Sequence, residues 1–143
     1  MFESLSATQT MIALMLFVLM VIAVGQALRW RSLQAKLVYL SQCDVAMKFP
    51  RFSNPALMKL DLREKTADGD RDAFESYEWF VARLVYVLDE ALRFWPSSQW
   101  VAVANTQLAN HKLYFASEYY AKQNYLPHYS SRMRALIEKQ RKS

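Results

Sequence analysis

From Met11 to Gly25 the chain reads MIALMLFVLMVIAVG, and the stretch from Thr8 to Leu28 is 21 residues without a formal charge. A helix rises about 1.5 Å per residue, so this stretch covers the roughly 30 Å hydrocarbon core of a bilayer. It ends at Arg29-Trp30-Arg31, an interfacial indole between two cations that are costly in hydrocarbon. A cleaved signal peptide competes, because Ala23-Val24-Gly25 loosely resembles a small-residue cleavage site. Two features favour an uncleaved anchor: no Lys or Arg precedes the run, and the run exceeds the roughly 7–15 residues of a signal core.

Beyond the span the apolar positions recur at helical spacing. No Gly or Pro interrupts Gln26 to Phe49, which predicts a helical stalk over 29–47. Its stripe of Leu33, Leu37 and Leu40 needs a partner. Packing on the chain's own domain is preferred over a homodimeric coiled coil, because the stripe is shorter than three or four heptads. After a break at Lys48–Phe52, Asn54 as N-cap and Pro55 at the first helical position predict a short helix to about Leu62. Ala67-Asp68-Gly69-Asp70 reads as a loop, and the Asp61–Asp72 window lacks the Gly and the bidentate Glu that an EF-hand requires.

A long helix follows over about Asp70–Trp95, with Ala73, Tyr77, Phe80, Leu84, Leu88, Ala91 and Trp95 on one face. Phe74, Val81, Val85 and Leu92 widen that face, as expected of a central helix with several neighbours. Pro96 ends it. Ser97 or Ser98 caps a second long helix over about Gln99–Gln123, with Trp100, Ala104, Leu108, His111, Phe115 and Tyr119 aligned. Ser130 caps a last helix carrying Met133, Leu136 and Ile137. No strand is expected. The fold class is all-α: residues 1–7 outside, a transmembrane helix over 8–28, a stalk, and a helical bundle over 48–143 built on a hairpin across Pro96.

Charge adds direction to this outline. All 18 Lys and Arg lie at or after Arg29, and Glu3 is the sole ionisable side chain before it. Positive flanks stay cytoplasmic, so Arg29, Arg31 and Lys36 predict a single-pass inner-membrane protein, N-terminus outside and domain inside. These residues form the expected membrane interface, including contact with anionic lipid headgroups. The other bases are dispersed, so nucleic acid is not an expected partner.

Candidate chemistry is sparse. Gly25 and Gly69 are the only glycines, which excludes Gly-rich phosphate loops, and no nucleophile elbow is present. No Glu precedes His111 or His128 by three residues, so the carboxylate-bridged metal sites of helical bundles are not expected. No cofactor is expected, and Asp89-Glu90 reads as a solvated face with an Asp89–Arg93 pair. Aromatic residues crowd the last two thirds of the chain. Most belong in a core, but Trp79, Tyr86 and Tyr120 depart from the main stripes and are the candidates for a protein-binding face. An enzyme or sensor site between the long helices is the alternative, with Glu78, His111 and Tyr114 as its residues.

One span, the Asn54-Pro55-Ala56-Leu57-Met58 start and the Trp100 placement in an aromatic-rich hairpin together resemble bacterial single-span membrane-anchored helical proteins of unknown function. That resemblance covers about residues 8–140 and implies no functional residues. The expectation is a non-enzymatic, membrane-anchored interaction protein, either an accessory subunit of a membrane complex or a tethered adaptor.

Overall fold

A computed structural model describes residues 6–142. Seven α-helices account for most of them, in the order α1 (Ala7–Lys48), α2 (Pro50–Ser53), α3 (Arg71–Phe94), α4 (Ser98–Ala109), α5 (Lys112–Ala116), α6 (Glu118–Gln123) and α7 (Ser131–Lys142). Between α2 and α3 lies a minimal antiparallel ladder, β1 (Leu60–Asp61) on β2 (Thr66–Ala67).

The apolar N-terminal run and the segment expected as a stalk form one continuous helix. At its start Ser6 Oγ accepts from the Gln9 N–H at 3.3 Å while the Gln9 side chain accepts from the Ser6 N–H at 2.9 Å, a reciprocal capping box. The apolar part packs against nothing among the described residues, and by length and composition it is able to cross a membrane.

The remainder of α1 is not a free stalk. Ala35 and Gln42 are buried, Arg83 of α3 donates to the Ser41 carbonyl at 3.0 Å, and Tyr39 meets the Trp100 ring edge-on at 5.3 Å. α1 therefore enters the bundle at about Ala35. The leucine stripe is on the other side: Leu33, Leu37 and Leu40 are 47%, 58% and 56% exposed. This overturns the expectation that the stripe packs on the chain's own domain. Positions two apart on a helix differ by roughly 200°, so the same helix that buries Ala35 must turn Leu33 and Leu37 outward.

α3 is the central helix. Tyr77, Val81, Leu84, Val85, Leu88, Ala91 and Leu92 are buried, and its neighbours include α1, β2, α4 and α7. Asp70 caps it by accepting from the Asp72 N–H at 2.9 Å. The expected second long helix is instead three pieces. α4 begins at Ser98 with Ser97 as N-cap, the chain turns at Asn110-His111, and Ser117 takes an extended conformation with its Oγ accepting from the Tyr120 N–H at 3.1 Å. A serine hydroxyl offers the backbone this alternative to helix continuation. The inward stripe survives the breaks, since Ala104, Leu108, His111 and Phe115 are all buried.

The Asn54 cap forms, accepting from the Ala56 N–H at 3.3 Å, but only a single 3₁₀ turn over Pro55–Leu57 follows it. The expected helix to Leu62 gives way to the ladder. Asp61 accepts from the N–H groups of Arg63 and Glu64 at 3.0 and 2.9 Å, and the reversal places Lys65, Asp68 and Gly69 at positive φ. Asp68 then accepts from the Lys59 N–H at 2.7 Å, and Ala67 is driven into the core.

Asp89 also departs from its expected solvated setting. It is buried and accepts from the Ser130 N–H at 3.1 Å and from the Ser130 hydroxyl, while the Ser130 Oγ accepts from the Met133 N–H at 3.2 Å. Arg93 completes the expected i,i+4 pair at 2.9 Å. A carboxylate on α3 thus fixes the capping residue of α7, and Met133 and Ile137 are fully buried behind it.

Candidate functional site: an aromatic groove beside Glu78

The residues singled out on sequence grounds divide between three settings. Glu78 and Tyr114 come together: Tyr114 donates to one Glu78 oxygen at 2.9 Å and Tyr119 donates to the other at 2.9 Å. One carboxylate on α3 thereby ties down both α5 and α6. Burial foremost, then the Glu78 charge, raises the Tyr114 hydroxyl well above the usual phenol range, and burial with the Glu78 hydrogen bond does the same for Tyr119. Both phenols stay protonated and act as donors. With each oxygen of Glu78 engaged, the arrangement is a clamp between helices rather than a free general base.

His111 does not join this pair. It is buried on another side of α3, with Nδ1 3.0 Å from the Tyr77 hydroxyl and its ring among Tyr77 and Phe80. Burial lowers its pKa to about 4, so the imidazole is neutral at pH 7 and serves as a core residue. Nε2 has no hydrogen-bond partner among the described residues. Among the described residues no group of three or more His, Cys, Asp or Glu side chains converges as a metal site.

The three aromatic candidates separate cleanly. Trp79 and Tyr86 are 71% and 63% exposed, whereas Tyr120 is 3% exposed. Tyr120 packs edge-on against Tyr114 at 5.3 Å and Phe115 at 5.2 Å, so it is a core residue that meets the outside only as part of a groove wall. The break at Ser117 is the reason: it rotates α6 relative to the register of a continuous helix and swings Tyr120 inward. Trp79 and Tyr86, seven residues apart, lie two turns from each other on one face of α3.

Trp79 borders two depressions. The larger, about 700 Å³, runs along α3 beneath the ladder loop and is walled by Phe74, Phe115, Tyr120, Tyr125 and Tyr129, with Glu78 in its side. Arg63, Lys65 and Arg71 line it together with Glu64 and Glu75. The smaller, about 530 Å³, lies between α1 and α3 and includes Val45, Phe49, Phe80 and Arg83. Large aromatic walls with charges of both signs at the rim suit a mixed apolar and polar segment rather than a single anion.

Compared with known protein families, curated proteins and solved structures, the chain matches none of them. Function has to be read from the residues themselves.

The signal that marked Trp79 and Tyr86 in the sequence was their departure from the apolar stripe of a well-formed helix. The groove was not visible that way. Its walls come from α5, α6 and the segment after α6, whose relative placement depends on the breaks at His111 and Ser117.

Proposed function

We propose that this chain is a single-span membrane-anchored interaction protein whose cytoplasmic helical domain receives a segment of a protein partner across the Trp79 grooves, as an accessory subunit of a membrane complex or as a tethered adaptor. The observation that carries the reading is Trp79 itself, a large indole 71% exposed at the junction of two aromatic-walled grooves. An indole left in water beside concave apolar surface is the arrangement found at binding hot spots. Support for anchoring comes from the uncovered apolar helix, and for an inner-membrane, N-out and C-in orientation from Arg29, Arg31 and Lys36 at its end. Those three cations face anionic headgroups in this arrangement, each worth about 1 kcal/mol near the surface.

The test is crosslinking of the full-length chain in its native membrane followed by purification in mild detergent. A reproducible partner band that weakens in Trp79→Ala and Tyr86→Ala is the expected result. A chain that captures no reproducible partner, or captures it equally with both aromatics removed, overturns the proposal. A second reading, a small-molecule sensor, draws on the 700 Å³ volume and the Glu78 carboxylate in its wall. Ligand-induced shifts in melting temperature that disappear in Glu78→Gln would favour it.

A further inference from the structure

The exposed leucines of α1 are part of a longer row. Counting back and forward at alternating steps of four and three from Leu33 gives Ile12, Leu16, Leu19, Ala23, Gln26, Trp30, Leu33, Leu37 and Leu40. Every one of these positions is exposed, and together they span about 42 Å at 1.5 Å per residue. The repeat is the 3.5-residue seam of a left-handed coiled coil. It crosses from the apolar segment into the bundle without a change of register. The stripe seen after the span is therefore not too brief for a coiled coil, because its first half lies within the span.

We propose that this row is the contact between two parallel copies of the chain. The inference rests on the reading of residues 8–28 as a membrane span. Three observations identify a second copy as the occupant. First, a partner must present a matching row through the bilayer and beyond it in one register, and a copy inserted with the same orientation does so by construction. Second, Gln26 is the sole amide, hydroxyl or charged side chain between Met11 and Leu28, and it falls on the row. It sits in the last turn of the span, just before Arg29, where Gln26 opposite Gln26 provides donor and acceptor together. Third, the face of α1 that carries the bundle, marked by Ala35 and Gln42, is turned about 200° from Leu33 and Leu37. The two bundles therefore sit on the outer sides of the paired helices and do not obstruct the seam.

The flanks agree with a parallel pair. Positions that face each other across such a seam place Arg29 against Gln34 and Lys36 against Ser41, so neither cation meets another on the facing helix. Ala23 permits close approach of the two backbones inside the bilayer. The next place in the row after Leu40 is Asp44, where two carboxylates would oppose each other, and the seam ends before it.

The test uses the full-length chain in isolated membranes, with Cys43→Ser as background and single cysteines at Leu33→Cys, Leu37→Cys, Leu40→Cys and, on another face, Arg31→Cys. Mild oxidation is expected to yield an adduct of twice the 16.7 kDa chain at 33, 37 and 40 and not at 31. Co-expressed copies with different tags identify the adduct as two copies. Adding Gln26→Leu lowers the yield about threefold, the loss of one interhelical hydrogen bond. Adduct formed equally at 31, no adduct at the three leucine positions, or an adduct with a different protein overturns the pairing. Alkaline carbonate extraction of the same membranes separates the two inferences: release of the chain overturns the anchor, whereas retention without adduct overturns the dimer alone.

Discussion

His111 makes the stability of the bundle depend on pH in a way the rest of the core does not. Its ordinary pKa is 6.5, and burial lowers it to about 4 in the fold. As the pH falls below 6.5 the unfolded chain takes up a proton that the folded chain refuses, so folding is penalised progressively, and the penalty levels off once the pH drops below the folded value. At pH 5 the difference is about 1.5 units, and at 1.36 kcal/mol per unit this removes about 2 kcal/mol of stability relative to pH 7. For a domain of this size about 4 °C of melting temperature accompanies each kcal/mol, which gives a fall of roughly 8 °C. The assay is thermal unfolding of the full chain in nonionic detergent, followed by tryptophan fluorescence at pH 7 and pH 5. His111→Gln keeps a polar group near the Tyr77 hydroxyl, 3.0 Å from Nδ1 in the native chain, and does not titrate. The variant should lose most of the pH-dependent fall, since the two proteins differ only at this side chain. If native and variant chains lose the same number of degrees, His111 is protonated in the fold and its burial does not govern its charge.

Asp89→Ala removes the acceptor for Ser130 and leaves the start of α7 unsupported. Loss of hydrogen bonds to a buried charge is expected to cost about 3 kcal/mol, whereas Arg93→Ala, whose side chain is 52% exposed, costs far less because solvent screens the pair; urea unfolding distinguishes them, and equal effects would assign the stability to the ion pair instead. Gln42→Leu raises the melting temperature, because the Gln42 amide is buried with neither its oxygen nor its nitrogen bonded among the described residues and removing it recovers about 1 kcal/mol or more; a fall would reveal a bound group at that amide. Tyr120→Ala costs about 3 kcal/mol as a core truncation, while Trp79→Ala changes stability by less than about 0.5 kcal/mol, a contrast that circular dichroism melts can check directly.

The long helices were legible because apolar periodicity over many residues outweighs local noise, as in α3, where Asp70 caps the start and Trp95 closes the end. The same reasoning placed Ser97 and Ser130 as caps. What periodicity could not supply was which stripe of α1 faces the bundle. Leu33, Leu37 and Leu40 are more uniformly apolar than Ala35, Tyr39 and Gln42, yet Ala35 and Gln42 are the buried positions, because the side of α1 that faces the bundle is set by specific contacts, Tyr39 on Trp100 and Arg83 on the Ser41 carbonyl. Two-residue strands leave no alternation to detect, so the ladder at Leu60–Asp61 was hidden. The breaks at His111 and Ser117 carry neither Gly nor Pro. Their cause is tertiary at His111, which reaches the Tyr77 hydroxyl across the core, and local at Ser117, which caps the following helix. The groove depends on both breaks, so the site was less legible than the fold.

The depth of Trp79 relative to a membrane separates lipid contact from protein contact as the use of its exposed face. Val45 lines the same groove as Trp79, and the residues from Leu28 to Val45 belong to one unbroken helix, about 25 Å long at 1.5 Å per residue. The headgroup layer beyond the hydrocarbon is roughly 5–8 Å thick on each side. If α1 spans a bilayer upright, as proposed, it carries Trp79 well clear of the lipid and sets Trp30 at the lipid's edge. The α3–α4 turn is nearer the bilayer than Trp79 is, because Trp100 meets Tyr39 whereas Trp79 is level with Val45. Variants retaining a single tryptophan at 30 or 79, reconstituted in vesicles, report this geometry. Brominated lipid is expected to quench Trp30 strongly and leave Trp79 unaffected, with aqueous iodide quenching Trp79. Lipid quenching of Trp79 would mean that α1 lies over and the bundle rests on the bilayer, and the grooves would then face lipid rather than a protein partner.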